Sequence, residues 1–226
     1  MHVHLPKPTH GWREFFGEVG IIVLGVLIAL GAEQVVEAYH WRHQVHQFRE
    51  ALDEELAYDL SAYDFRMRQE RCVDRRIAQL DAWLADAATD PALPLSAASA
   101  APVRISQYRS VWDLQTGDLA NHIPLRDRLS YAQLYDELRL FEQLQVQEGQ
   151  AWTELTSLQG QRGFDRAELL HVRHLLKLAQ SSAHSIAGNH DYVTGLAARL
   201  HIPVRRETFG LTIAPCDVKT VRPVRS

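Results

Sequence analysis

The chain has 226 residues, 46% of them hydrophobic and 23% charged, with a formal net charge of −4. That length suffices for one large or two small domains, and the charge argues against electrostatic binding of nucleic acid. Two cysteines exclude a multi-disulfide scaffold or a cysteine-built zinc site and leave one candidate disulfide, Cys72 with Cys216.

Residues 1–14 read as a short N-terminal segment. The mean hydropathy of −0.23 hides the uncharged run from Val19 to Ala32. With its flanks, from Phe15 to Val36, the run spans roughly 33 Å as a helix, enough to cross a bilayer. Trp12, Phe15 and Phe16 at one end, and Tyr39 and Trp41 at the other, stand where interfacial aromatic belts form. The segment 15–39 is therefore expected to be a single transmembrane helix, with the lipid bilayer as its first partner. A cleavable signal peptide is one competing reading, since Lys7 and Arg13 precede the run and Ala29-Leu30-Gly31 resembles a cleavage site. The apolar helical pattern continuing into Val35, Val36 and Tyr39 weighs against it. A buried core helix is the other, and it would need apolar partners on every side. Lys7 and Arg13 against Arg42 and Arg49 make the positive-inside rule nearly a tie. The short N-terminal segment is favoured as cytoplasmic, which places the rest in a periplasm.

Within this helix Glu18, Ile22, Gly25, Ala29, Ala32 and Val36 recur at spacings of three and four, so they share a face. Gly25-x-x-x-Ala29 is a small-xxx-small pair of the kind that lets two membrane helices approach closely. The stripe is a candidate interface for a membrane-protein partner or for self-association, although glycine and alanine are common in any membrane helix.

From His40 to Ala88 there is neither proline nor glycine, and apolar residues recur at helical period from Val45 through Leu52, Leu56, Leu60 and Tyr63 to Leu84. The spanning helix is expected to continue as one rod standing about 73 Å off the membrane. Its charged face, with Arg49, Asp53, Glu54 and Arg68, reads as solvated. Residues 89–103 form a proline-rich loop, and a shorter helix is expected from about Ile105 to His122. Leu125 to Gln159 reads as a second long helix. A third runs to about His201, opened by a capping box of Asp165 and Glu168. The expected fold is all-α: one N-terminal transmembrane helix continuing into an elongated bundle, 40–201, of three long helices plus a short one. A tail, 202–226, lies extended or pairs as a short strand. Residues 33–88 carry 12 acidic against 7 basic side chains, and the tail from Ile202 carries 5 basic against 2 acidic. The tail is expected to dock on the first long helix.

There is no phosphate-binding glycine loop, nucleophile elbow or His-Glu-x-x-His helix. His40, His43 and His46 spread over about 120° of a helix, a poor arrangement for one ion. Asp53, Glu54 and Glu55, with Asp59, could suggest a di-iron carboxylate site, but Glu168-x-x-His171 is a single example of the pair that such a site requires twice. No catalytic residue, cofactor or metal is expected.

Two segments resemble an uncharacterised family of bacterial single-pass inner-membrane proteins. Gly17-Glu18-Val19-Gly20-Ile21-Ile22-Val23-Leu24-Gly25-Val26-Leu27-Ile28-Ala29-Leu30 is similar to the membrane helix that opens its members. Tyr108, Leu114, Thr116-Gly117-Asp118-Leu119, Ile123, Leu125-Arg126, Leu129 and Tyr131 resemble a second conserved segment. The resemblance covers about a fifth of the chain and implies a single-pass inner-membrane protein with a helical extramembrane domain, without an established activity. Read from its residues, Thr116-Gly117 suggests a helix C-cap. A ligand pocket at the same break, involving Tyr108, Thr116, Gly117 and Arg126, is the sharper alternative. Two functions stay open: an accessory or scaffolding subunit or homo-oligomer, and a membrane-anchored sensor binding a small ligand near Thr116-Gly117.

Overall fold

The computed structural model describes residues 11–95, 101–114 and 117–210, and these are all-helical, with no strand among them. Helix α1, Gly11–Met67, is 57 residues long, about 86 Å. A two-residue turn at Arg68 and Gln69 separates it from α2, Glu70–Ala87. Two short helices follow, α3 at Ser110–Asp113 and α4 at Gly117–His122. The long pair α5, Leu125–Ser157, and α6, Arg166–Arg199, then closes the bundle as an antiparallel hairpin.

The bundle has three legs, because α1 and α2 act end to end as one of them. The core nearer the apolar run packs Leu52, Leu56, Leu60 and Tyr63 of α1 against Leu134, Leu138 and Phe141 of α5 and Ile186 and Val193 of α6. The distal core packs Ile77, Leu80 and Leu84 of α2 against Trp152 and Leu155 of α5 and Val172, Leu176 and Ala179 of α6. These are the apolar stripes visible in the sequence, meeting as helical periodicity requires. The hairpin turn is built on Gly160 and Gly163, whose φ angles of +84° and +71° suit glycine alone among common residues. The loop after α2 pairs with this turn: Leu95 N–H donates to the Gln161 carbonyl, and Gly160 N–H to that of Leu95. Asp165 and Glu168 form the expected reciprocal capping box at the start of α6.

The structure departs from expectation in three places. The rod is not continuous to Ala88. Gln69, with its side chain fully buried, turns the chain and grips Val103, accepting from its N–H (2.8 Å) and donating to its carbonyl (3.2 Å). A tertiary contact interrupts the helix there, and no glycine or proline marks the place. The helix expected over 105–122 starts later and is broken: 101–109 are without regular secondary structure, and the helical residues are those of the four-residue α3 and six-residue α4. The charged face of α1 is solvated only in part: Glu54 is exposed, while Arg49, Asp53 and Arg68 are partly covered. Residues 101–109 and 202–210 lie across it and form a third apolar cluster, with Ile105, Val103 and Phe209 around Phe65 and Ala62. Phe209 meets Tyr58 and Phe65 edge-on, at 5.3 and 5.5 Å. The described part of the tail therefore docks on α1 as its charge suggested, extended rather than as a strand. Residues 211–226 lie outside the described residues.

Candidate functional site

Along the membrane-length part of α1 every described residue from Gly11 to His40 is exposed, the side chain of Glu14 lying outside the described residues. This is a helix long and apolar enough to cross a membrane, with none of its apolar window buried inside the protein. The stripe of Glu18, Ile22, Gly25, Ala29 and Ala32 faces outward with the rest. A Cβ placed on Gly25 would meet nothing within 4 Å, so the close approach that glycine permits is not used within this chain. Trp12 stacks on Phe16 with ring centroids 6.0 Å apart, making an aromatic cluster at the N-terminal end of the span.

The second predicted site comes apart. Tyr108 is half exposed, tilted against Tyr58 at 5.0 Å, and its N–H donates to Asp59 Oδ1 at 3.0 Å. Thr116 lies outside the described residues. Gly117 opens α4, so it begins a helix where a C-cap was expected to end one. Arg126 is exposed, beside the Asp127 that pairs with Arg49. Arg49 and Tyr58 are nine residues apart on α1, about 13 Å, so Tyr108 and Arg126 are not brought to one place.

What holds this segment is a seam of carboxylates on α1, Asp53, Glu55 and Asp59, which belong to the cluster weighed in the sequence as metal ligands and act instead as hydrogen-bond acceptors. Glu55 Oε2 accepts from Val111 N–H (2.9 Å) and Ser110 Oγ (3.0 Å), so it caps the start of α3 from another element. Its Oε1 accepts from the Tyr135 hydroxyl at 2.6 Å. Asp53 accepts from the Tyr131 hydroxyl at 2.7 Å. Asp59 is 1% exposed. Its burial, reinforced by the charges of Glu55 and Glu142 and opposed by the Tyr108 N–H, pushes its carboxyl up to about 8. Burial likewise raises the Tyr135 and Tyr131 hydroxyls, with the carboxylates they donate to acting in the same direction. The seam is a fastening: each acceptor is occupied by a donor from a packed element. A signal was present in the sequence. Glu55, Asp59, Ala62 and Arg66 share one helical face beside the leucine stripe, and the small Ala57, Ser61 and Ala62 leave room for backbone to approach.

Between the two cores lies a charged layer. The Arg66 guanidinium, 1% exposed, makes two bonds to Glu148 (3.0 and 2.6 Å), itself 2% exposed, and one to Glu70 at 2.7 Å. Burial works against the cation, but the bonds and charges of Glu148 and Glu70 outweigh it and hold the guanidinium above its ordinary value. The layer sits where α1 gives way to α2.

Among the described residues no group of three or more His, Cys, Asp or Glu side chains is arranged to hold a metal ion. His190 is half-buried against the Tyr63 ring at 5.5 Å. Cys72 is buried and disulfide-bonded, while Cys216 lies outside the described residues. Two of the clefts among the described residues are large and open to solvent. One, of about 940 Å³, runs beside the Arg66 layer between residues 101–104 and the α5–α6 hairpin. The other, of about 680 Å³, lies between α1 and the end of α4, where Trp41 stacks on His122 at 4.1 Å. No family model, curated protein or solved structure matches the chain.

Proposed function

We propose that this is a single-pass membrane protein working by interaction, as an accessory or scaffolding subunit of a membrane complex or as a homo-oligomer. One observation carries the reading: an apolar helix that no other described residue covers runs without a break into the centre of a packed bundle. Exposed apolar surface of that extent calls for lipid, and the small-residue stripe with Glu18 calls for a second helix. The charged seam serves the fold and offers no reacting group, which supports a non-enzymatic role. A disulfide at Cys72 supports an oxidising compartment for the bundle, hence the periplasmic side of a bacterial inner membrane. We take its partner to be Cys216, the other cysteine of the chain. A sensor using the Thr116-Gly117 region is the lesser reading, since the adjoining Val111 and Trp112 are packed onto the core.

Purification in mild detergent with mass analysis is the test. A defined oligomer or a stoichiometric partner is expected, and Gly25→Leu together with Ala29→Leu should dissociate it while leaving the bundle folded. A monomer that co-purifies with nothing would overturn the reading.

A further inference from the structure

The cleft between α1 and α4 lies at a definite depth if α1 crosses a bilayer, and the inference below rests on that reading. The apolar run is centred near Val26, and a hydrocarbon core of about 30 Å centred there ends close to Val36. Glu37 to Val45 then passes through the headgroup layer. The cleft is lined along this stretch by Glu37, Ala38, Trp41, Arg42 and Val45, with His122 closing it from α4.

The charges in the cleft are unequally occupied. The Arg49 guanidinium, higher up, is held by Asp127. His46 lies 3.5 Å from Glu50. Arg42 has no polar partner among the described residues, and Glu37 accepts only a long 3.4 Å bond from Trp41 Nε1. One free guanidinium and one under-satisfied carboxylate therefore remain, five residues apart on the same helix, above an apolar floor of Ala38 and Val45. Trp41, its ring face covered by His122, forms a fixed wall between α1 and α4.

We propose that this cleft binds the headgroup of a zwitterionic phospholipid, with the phosphodiester on Arg42 and the ammonium on Glu37. A guanidinium presents a planar fork suited to phosphate oxygens. The carboxylate selects for a headgroup that carries its own cation, because a purely anionic headgroup would bring a second negative charge against Glu37. The acyl chains leave toward the exposed Val35 and Val36, which are 70% and 69% exposed. The site would fix the height and rotation of α1 in the bilayer, and so the direction in which the small-residue stripe faces.

The full chain in mild detergent, titrated with phosphatidylethanolamine or phosphatidylglycerol and read by native mass spectrometry, tests this. Retention of phosphatidylethanolamine is expected to exceed that of phosphatidylglycerol. Arg42→Ala should weaken retention of both by about tenfold, the scale of a lost charge-assisted bond. Glu37→Gln should remove the preference while keeping binding. Both side chains are exposed, so neither variant threatens the fold, and circular dichroism checks that. Soluble phosphoethanolamine should compete only weakly, since it lacks the acyl chains; competition equal to that of the lipid would overturn the assignment to a membrane lipid. Equal retention of the two lipids, or no effect of Arg42→Ala, would overturn the site. Alkaline washing of membranes separates the two readings. A chain that washes off refutes the membrane reading, and a chain that stays but binds lipids without preference refutes only the headgroup site.

Discussion

Helix α1 is one continuous helix in two environments. From Gly11 to His40 every described side chain is exposed, and the apolar ones point outward on every side. From Glu55 to Arg66 it is the most enclosed element of the bundle, yet it carries Glu55, Asp59 and Arg66 at exposures of 9%, 1% and 1%. The exposed half is apolar and the enclosed half is studded with charge, the reverse of a water-soluble helix. In the lower half hydrophobicity is matched to a solvent outside the protein. In the upper half leucines face two long helices, while charges and small residues face irregular segments whose backbone N–H groups lack partners of their own. Glu55 and Asp59 supply those partners, and an apolar residue there would leave buried donors unsatisfied.

The comparison breaks most severely at Arg66. Arg66→Ala leaves Glu148 and Glu70 facing each other across a buried gap without their cation, and about 3–5 kcal/mol of bundle stability should be lost. Chemical denaturation of the full chain in detergent measures it. Replacing the pair together, Arg66→Met with Glu148→Leu, should lose far less, because the carboxylate then left without its cation, Glu70, is 20% exposed and reaches water. In the lower half, Ile22→Ala should move the bundle midpoint by no more than about 0.5 kcal/mol. A comparable loss at Ile22 and Arg66 would mean that the two halves are not distinct.

The same contrast explains what was legible in the sequence. The spanning segment, the α5 and α6 stripes and the Asp165–Glu168 capping box are encoded locally, by periodicity and by residues three or four apart. Docking of the tail on α1 was legible as a charge imbalance, and it appears as Arg205 bonded to Glu54 at 2.8 and 3.0 Å. The turn at Gln69 and the irregular run 101–109 were not legible, because each depends on the other: Gln69 turns where its amide can pair with Val103, more than thirty residues away. The fastening role of Glu55 and Asp59 was hidden for the same reason. Nothing near them in sequence reveals the Tyr108 and Val111 N–H groups that they accept.

Asp59 gives the next largest effect, and it depends on pH. Its folded value, near 8, stands above the ordinary 3.8, so the folded protein holds a proton that the unfolded chain releases. The contribution is fully present below about pH 4 and is lost as pH rises through 8, a decline on the order of a few kcal/mol. Asp59→Asn keeps an oxygen for the Tyr108 N–H and cannot ionise. Denaturation midpoints of this variant should stay flatter than wild type between pH 5 and about 9. A wild-type bundle whose stability does not fall across that range would show that Asp59 is ionised in its seam, and the enclosed half would then be less apolar than its packing implies.

The smallest effect lies at the rim of the enclosed half, where Glu54 and Arg205 meet in solvent. Two hydrogen bonds from the guanidinium, and then its charge, hold the Glu54 carboxyl below its ordinary 4.5. The sign is opposite to that at Asp59: this contribution is present above the ordinary value and is lost as the medium becomes acid. Both side chains are exposed, so the attraction is screened and partly offset by the ordering of two long side chains. Glu54→Gln should therefore lower the melting temperature slightly at low ionic strength. In about 1 M salt, where screening acts over some 3 Å, the variant and wild type should coincide. The tail is also pinned by Arg205 N–H on Ser61 Oγ and by Phe209 between Tyr58 and Phe65, so trypsin cleavage after Arg205 and Arg206 should accelerate only modestly in the variant. A loss that persists in high salt would assign Glu54 to the enclosed half of α1, and would move the boundary between the two environments outward to the surface of the tail.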